Sequence, residues 1–420
     1  MNQPLAMADA PPLFDLLSPE VIADPYPLYN RLRSTDPVHR SAQGYYMVSR
    51  YADVSSILRD KRFGKDFVGR VTRRQGAQVL EEPVYRSMRH WMLQQDPPDH
   101  TRLRGLVVRA FTPRRVDDMR PRIHKIVDAT IEKIKPRGHA DLIADFAFRL
   151  PVAVICDMLG IPPDHHEMFL AGAPDGGQRP PDDFQARLLD RSPLSRAEMD
   201  TANACSLAAT KYFQQLVELR RRQPRDDLIS SLVQAEEHGS KLTNDELIAN
   251  VIMLFGAGHV TTVNLIGNGL LALHRNPDQL KPLRDDPSLT PNAIEELLRY
   301  DSPVQAVIRT VLDDVKVGRT KVMNGESVLC LLGAANRDPE VYHDPDRLDI
   351  TRQNFRPLSF GGGIHFCVGN QLGRIEAEIA IATLLRRLPN LTLNDPEHVD
   401  WHQTLFLRGL KSLPASWSTA

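Results

Sequence analysis

The chain has few cysteines, no excess of either charge and no signal-like leader, and each absence excludes a class of protein. The cysteines are Cys156, Cys205, Cys330 and Cys367. They include no Cys-x-x-Cys pair and are too sparse for a disulfide scaffold, which predicts a reducing cytosol. Lysine and arginine number 52 against 53 aspartates and glutamates, which gives no reason to expect a nucleic-acid partner.

The sequence pattern leads us to expect neither a targeting segment nor a membrane span. The first 17 residues contain two aspartates and several prolines, without the basic and apolar regions of a secretory signal. The most apolar stretch, 251–274, is interrupted by glycine, histidine, threonine and asparagine. Its longest unbroken run is far shorter than the ~20 residues of a membrane span. We therefore expect a cytoplasmic protein that uses no membrane.

Apolar residues at helical spacing are the most frequent secondary-structure pattern in the sequence. It predicts helices over 114–135, 197–222, 245–274 and 292–300. Strand patterns are short: 45–48 is one, and 315–332 reads as hairpin material with Asn324-Gly325 as a turn. Residues 172–193 predict a loop, either a surface connection or a lid over a substrate entrance. With no repeat or long linker, residues 1–420 are expected to form one domain, mainly α with a smaller β portion.

Cys367 lies in the glycine-rich stretch Phe360-Gly361-Gly362-Gly363-Ile364-His365-Phe366-Cys367-Val368-Gly369, just before an amphipathic helix pattern. At a helix N-terminus, unpaired amides and the positive end of the dipole stabilise a thiolate. Glycines let the backbone crowd around the sulfur. On position alone, a small buried apolar cysteine is the commoner interpretation, and a metal-ligating thiolate is the alternative.

A second unusual stretch lies inside the longest helix pattern, which begins at a capping box, Thr243-Asn244-Asp245-Glu246. In its middle is Phe255-Gly256-Ala257-Gly258-His259-Val260-Thr261-Thr262. Each interior glycine costs roughly 1 kcal/mol relative to alanine, and hydroxyls in a buried helix need partners. The helix is therefore either bent for packing or opened for a ligand.

The first stretch resembles the haem-binding signature of the cytochrome P450 family, Phe-x-x-Gly-x-His-x-Cys-x-Gly. The resemblance implies that Cys367 is the proximal iron ligand of haem b (iron protoporphyrin IX). It also implies that Phe360, Gly363, His365 and Gly369 border the cofactor. It runs from about residue 25 to 413 and implies the family's single-domain, helix-rich, triangular fold, with a long central helix over the haem.

The second stretch resembles the oxygen-activating motif of that central helix. The resemblance implies that Ala257 leaves room for O₂ and that Thr261 is a catalytic hydroxyl that helps deliver protons. The family commonly has an acid directly before the threonine, where this chain has Val260. His259 is not an obvious substitute, so ordered water, a substrate hydroxyl or Asn264 is expected to carry the proton.

Two further sets of charged residues, separated along the chain, match positions of the family's motifs. Glu296 and Arg299 match its Glu-x-x-Arg, and with Arg347 imply a structural cluster behind the haem loop. Taken alone, the first pair would be an ordinary surface salt bridge. Four others match propionate-binding positions, although each could singly be ordinary surface charge: they are His100, Arg104, Arg309 and His365.

The resemblance implies a haem-thiolate monooxygenase that inserts one atom of O₂ into an apolar terpenoid, polyketide or lipid-like molecule. Electrons would come from NAD(P)H through ferredoxin reductase and ferredoxin to a monomeric enzyme. Substrate contacts are expected in 65–91, 304–307 and 404–406, with these individual candidates: Val260, Val304, Val307 and Leu405. The missing acid leaves two alternatives open, a peroxide-driven haem oxidase and a haem protein that binds ligands without turnover.

Overall fold

This computed structural model describes residues 18–170, 194–237, 242–404 and 406–419, so the predicted loop over 172–193 lies outside them. The α-helices of the N-terminal half are α1 (Pro19–Ala23), α2 (Tyr26–Thr35), α3 (Tyr51–Ile57), α4 (Phe67–Gln75), α5 (Pro83–Met88), α6 (Asp99–Ala110), α7 (Pro113–Asp117), α8 (Arg120–Ile134), α9 (Arg149–Leu159) and α10 (His166–Leu170). Those of the C-terminal half are α11 (Arg196–Arg222), α12 (Leu228–Glu237), α13 (Asn244–Arg275), α14 (Pro277–Asp285), α15 (Thr290–Tyr300), α16 (Leu332–Ala335) and α17 (Asn370–Arg387).

The strands are short and form small sheets. They are β1 (Val38–Arg40), β2 (Tyr46–Val48), β3 (Phe63–Gly64), β4 (His139–Asp141), β5 (Ala306–Val311), β6 (Val315–Val317), β7 (Thr320–Val322), β8 (Ser327–Leu331), β9 (Thr392–Leu393) and β10 (Pro414–Ser416). A five-stranded sheet has the order β1-β2-β8-β5-β3, a three-stranded sheet β4-β10-β9 and a two-stranded sheet β6-β7. The fold is mainly helical with small sheets, which confirms the predicted class.

The predicted hairpin over 315–332 is only partly right. The hairpin is β6-β7, and it turns at Gly318, whose φ of +56° suits glycine. The predicted Asn324-Gly325 turn exists, but it leads from this hairpin into β8, which pairs with β5 and β2. The Asn324-Gly325 pattern therefore predicted a turn correctly, but this turn does not connect the two strands of the hairpin.

The long helix α13 is the centre of the fold. Its start is the predicted capping box: the Thr243 hydroxyl accepts from the Glu246 N–H at 3.2 Å, and the Glu246 carboxylate accepts from the Thr243 N–H at 2.8 Å. Helices α9, α11, α15 and α17 all pack against it. By length and composition α13 could cross a membrane, but more than half of its apolar window is buried in protein, as in the core helix of a soluble protein.

Candidate active site

Cys367 lies at the end of a tight loop that runs directly into α17. The loop folds back on itself, because the Cys367 N–H donates to the Phe360 carbonyl at 3.0 Å. Gly361 and Gly363 have φ angles of +73° and +64°, in the left-handed region that side chains disfavour. A Cβ atom at Gly363 would also collide with the carbonyl of Leu58, just after α3. Glycine therefore lets the main chain take this path towards the cysteine.

The surroundings of the Cys367 sulfur act on its pKa in two directions. Burial raises the pKa of the thiol, and this is the largest effect. The Gly369 N–H at the start of α17 and the guanidinium groups of Arg104 and Arg374 lower it. Stabilisation by a helix-terminal amide is therefore present, as the sequence predicted, but desolvation outweighs it. A bound metal cation would favour the thiolate form of this sulfur.

Arg374 is fixed beside the loop by contacts on several sides. Its guanidinium carbon lies 4.3 Å from the centroid of the Phe360 ring, in cation–π geometry. It forms an ion pair with Glu295 of α15, and its Nη1 donates to the Asn370 side chain at 2.7 Å. Asn370 in turn donates to the Cys367 carbonyl at 2.8 Å. The first turn of α17 thus holds both ends of the loop.

The middle of α13 is open on one face. Gly256 and Ala257 are exposed although most of the helix is buried, and a Cβ atom at Gly256 would meet nothing within 4 Å. The Thr261 hydroxyl donates to the Ala257 carbonyl at 3.2 Å, one turn back along the helix. Helical hydrogen bonding is continuous from Asn244 to Arg275. An unbroken helix with unfilled space beside its small residues favours the ligand alternative over bending for packing.

The crossing of α13 and α17 brings the two unusual stretches together. A Cβ atom on Gly373 would lie 3.6 Å from the Thr262 hydroxyl, so the start of α17 touches α13 next to Thr261. A Cβ atom on Gly369, two residues after Cys367, would meet nothing within 4 Å. Unfilled space therefore borders both helices near their crossing.

Two side chains near Thr261 bear on the proton route that the preceding valine leaves open. His259 is buried, and its Nδ1 is 2.9 Å from the Phe255 carbonyl. Asn264 packs so closely on Gly409 that a Cβ atom there would collide with its amide. Both side chains are engaged in packing, which favours ordered water or a substrate hydroxyl as the proton carrier.

The four predicted propionate residues converge next to the cysteine loop. The rings of His100 and His365 have centroids 4.2 Å apart. Arg104 donates from Nη2 to the Phe366 carbonyl, which links α6 to the loop. Arg309 of β5 is only 3% exposed, and its charge acts on both histidines. The structure therefore assembles this set from three separate parts of the chain.

The cluster contains ring nitrogens and cations that could bind an anion. In the described part of the chain, the buried Nδ1 of His100 and Nε2 of His365 have no hydrogen-bond partner. Burial first, and then neighbouring cations, lower the pKa of His100 to about 4 and that of His365 well below its ordinary value. Neither Arg104 nor Arg309 forms an ion pair with a carboxylate of the described residues. Haem propionates fit this arrangement of unpaired cations and unpartnered ring nitrogens.

Two more buried cations lie in this cluster: Lys65 and Arg70 are 5% and 4% exposed. Both residues fall within 65–91, where substrate contacts were expected. No local pattern marks Lys65 as buried, because its ammonium group lies against β5, 243 residues further along the chain. The surrounding residues 63–67, Phe-Gly-Lys-Asp-Phe, do not predict that contact.

Glu296 and Arg299 form a fully buried ion pair on α15. The Arg299 Nε lies 2.7 Å from the Glu296 Oε2, and both side chains are 0% exposed. Arg299 also donates to the carbonyls of Asn336, Pro345 and Arg347, at 3.1, 2.7 and 3.1 Å. One guanidinium therefore ties α15 to the segment that leads towards the cysteine loop, as the predicted structural cluster requires.

The third member of this cluster differs from the prediction. The Arg347 side chain is exposed, and this residue joins the cluster through its carbonyl. Arg352 supplies the second guanidinium, with its Nε 3.2 Å from the Glu296 Oε2. The correction follows from the turn at this point, which directs the side chain of residue 352, rather than that of residue 347, into the core.

The predicted substrate-contacting residues fall in two neighbouring segments and on α13. Val260, Val304 and Val307 are all partly exposed. Val304 forms an antiparallel bridge with Leu407, which brings the 304–307 and 404–407 segments together. Leu405 lies outside the described residues.

Comparison with known proteins places this geometry in a family. The sequence model of the cytochrome P450 family matches residues 37–408. The cytochrome P450 monooxygenase PikC of Streptomyces venezuelae is 40% identical over 419 residues, covering 97% of this chain and 95% of PikC. The vitamin D(3) 25-hydroxylase of Pseudonocardia autotrophica is 40% identical over 408 residues, covering 96% of both proteins.

Solved structures agree with this assignment. The myxobacterial cytochrome P450 CYP267B1, solved in complex with myristic acid, superposes with a TM-score of 0.85 at 38% identity. The match covers 96% of this chain and 98% of that structure. This chain therefore belongs to the cytochrome P450 family and is a P450 monooxygenase similar to the bacterial members.

Proposed function

We propose that this protein is a cytoplasmic, monomeric haem b monooxygenase of one domain that inserts one atom of O₂ into an apolar small molecule. Two electrons come from NAD(P)H through ferredoxin reductase and ferredoxin. The family implies a haem-thiolate cofactor, which when bound supplies the chemistry of O₂ activation. The observation that carries the proposal is a cysteine loop beside a cluster of cations that lack anions. The cysteine of the loop can bind iron, and the cations of the cluster can bind the two propionates.

The residues around the cofactor have distinct roles in this proposal. Cys367 is the metal ligand, and Phe360, Gly363 and Gly369 shape the loop that presents it. Four side chains would hold the propionates, two as cations and two as hydrogen-bonding rings: Arg104, Arg309, His100 and His365. His100 and Arg309 are buried, which strengthens their contacts because little water competes with the anion, whereas Arg104 and His365 are partly exposed.

On the oxygen side, Thr261 is positioned to relay a proton. Its hydroxyl donates to the Ala257 carbonyl, so its lone pairs can accept a hydrogen bond from a water molecule or a substrate hydroxyl. Ala257 keeps this face of α13 uncrowded. Val260 contributes an apolar surface and no proton.

The face of the cysteine loop supports an external electron donor. Ile364 and Phe366 are 51% and 39% exposed, which is high for large apolar side chains. Both belong to the loop that carries Cys367, so a protein docked on them would lie beside the metal ligand. A ferredoxin bound there has a short path for electron transfer.

The proposed substrate is a lipid-like, terpenoid or polyketide molecule. Val304 and Val307 offer apolar surface beside the 404–407 segment, and Val260 offers it on α13. Two relatives agree in this respect: one is a vitamin D(3) hydroxylase and another binds myristic acid. Charged ligands without a long apolar part are not expected to bind well.

Turnover with and without the electron partners tests this function against its alternatives. Ligands that shift the ferric spin state are first identified by absorption spectroscopy and then incubated with NAD(P)H, ferredoxin and reductase, or with peroxide alone. We expect a product containing one oxygen atom from ¹⁸O₂ in the complete system. Product only with peroxide would select the peroxide-driven oxidase, and a tight ligand that gives no product in either system would select the non-catalytic binder.

Thr261→Ala is expected to lower the product formed per NAD(P)H consumed by about an order of magnitude, with hydrogen peroxide released instead. The physical reason is that alanine removes the hydroxyl that relays protons on the open face of α13. Conversely, Val260→Glu restores a group that can carry protons and should raise the coupling ratio. Both ratios are measured with one substrate identified by the spin-state screen.

Thr262→Ala is the matched control, since this hydroxyl faces α17. It should leave the coupling ratio near that of the wild type. Equal coupling in the wild type, the Thr261 variant and the Val260 variant would remove Thr261 from the proton route.

A further inference from the structure

Lys65 is a buried cation whose position is fixed from both sides of its main chain. Its N–H donates to the Asp96 carboxylate at 2.9 Å, and its carbonyl accepts from the Thr310 hydroxyl at 2.9 Å. Gly64 allows this approach, because a Cβ atom there would lie 2.6 Å from the Asp96 Oδ1. The side chain is 5% exposed. A lysine held this firmly is preorganised rather than free to reach solvent.

The ammonium group of Lys65 lies next to the guanidinium of Arg309. The Lys65 Nζ is 3.4 Å from the Ile308 carbonyl oxygen, and the Arg309 Nη1 donates to the same oxygen at 3.0 Å. Two buried cations that share one acceptor repel each other. Burial, and then the charges of Arg309 and Arg70, hold the pKa of Lys65 well below its ordinary value.

The described residues do not balance these charges. Lys65, Arg70 and Arg309 form no ion pair within that part of the chain, and the Nη1 of Arg70 is buried without a partner. The nearby carboxylate of Asp96 already accepts the N–H groups of Lys65 and Asp66. Three buried basic groups beside one carboxylate give an excess of positive charge that a further anion would neutralise.

We propose that Lys65 binds a carboxylate at the edge of the haem site, and that this carboxylate is a haem propionate. The inference rests on the proposed haem function and adds a residue to the four that the family resemblance implied. Lys65 shares its acceptor with Arg309, one of those four, and among neighbouring charges Lys65 acts most strongly on His365, another of them. Arg70 is a third buried cation, and its charge acts on Lys65. The other source of the same chemistry is the carboxylate of an acidic substrate.

Haem release from the purified ferric holoenzyme tests the assignment. Lys65→Met keeps the length of the side chain and removes its charge, so haem transfer to excess apomyoglobin should be about tenfold faster, as expected for one lost charge-assisted hydrogen bond. Lys65→Arg should restore slow transfer. Lys61→Met, at an exposed position four residues earlier, should match the wild type. The midpoint potential of the Lys65→Met enzyme should also fall, since a cation near the cofactor is lost.

Binding of myristic acid and of its methyl ester separates the two sources of carboxylate. If Lys65→Met leaves haem release unchanged and weakens myristic acid but not the ester, Lys65 serves a substrate and the propionate assignment is overturned. Unchanged haem release together with unchanged binding of both ligands overturns the proposal entirely. If Lys65→Met does not fold, Lys65→Gln is measured in the same way. A wild-type protein without a haem-thiolate spectrum contradicts the proposed function instead, and so is distinguishable from a failure of Lys65.

Discussion

Replacing Cys367 by serine is expected to abolish the long-wavelength Soret band that marks thiolate coordination in the reduced, carbon monoxide-bound protein. NAD(P)H-dependent turnover should fall by far more than the roughly 10- to 100-fold that loss of an outer-shell partner of a metal ligand produces. A serine hydroxyl has nearly the size of a thiol but does not ionise at neutral pH. It cannot provide the electron-rich sulfur that favours O–O cleavage.

The environment of Cys367 makes this test sharp. Burial raises the pKa of its thiol, and a bound metal ion would shift this sulfur towards the thiolate form. Cys205→Ser is the matched control, because this cysteine is partly exposed on α11. The control should keep the long-wavelength band. A Cys367→Ser protein that also keeps it would show that sulfur from another residue binds the iron, and the assignment of the site would be lost.

Features encoded by neighbouring residues were predictable from the sequence. The capping box at Thr243 is one, since four consecutive residues determine it. The path of the cysteine loop is another, because Gly361 and Gly363 permit the left-handed angles it needs. The Glu296–Arg299 pair follows from the spacing of one helical turn. In each case the atoms that interact are close in the chain, so the pattern alone specifies the contact.

Features that depend on distant contacts were not predictable in this way. Arg352 contacts Glu296 across 56 residues, and nothing local distinguishes it from Arg347. Lys65 is buried where its ammonium group meets β5, 243 residues further along the chain. The turn at Gly325 was visible, but the partner of β8 is chosen by the sheet as a whole. The contacts of these residues depend on tertiary packing, which cannot be read from a single sequence.

Arg299→Leu is expected to lower the free energy of unfolding by about 3–5 kcal/mol, the range for breaking one side of a buried ion pair. The guanidinium carries both of the bonds to Glu296 within α15 and donates to three carbonyls. Leucine fills part of the space but removes the Arg299 donor from the carbonyls of Asn336 and Pro345, while the Arg347 carbonyl still accepts from Arg352. Arg352 keeps its contact with Glu296, so the carboxylate is not left wholly unpaired. The loss is measured by guanidinium unfolding followed by far-ultraviolet circular dichroism.

Arg347→Leu is the control, because it removes an arginine from the same region without removing a side chain that contacts Glu296. Its exposed side chain can be replaced while its carbonyl still accepts from Arg299, so the unfolding midpoint should match that of the wild type. Arg352→Leu should be intermediate, because it removes one of the two cations that face Glu296. If Arg347→Leu destabilises the protein as much as Arg299→Leu does, the side chain of residue 347 must reach the core, and the assignment of Arg352 as the third member is wrong. The predicted order of stability therefore depends on which of two arginines faces a carboxylate with 0% exposure.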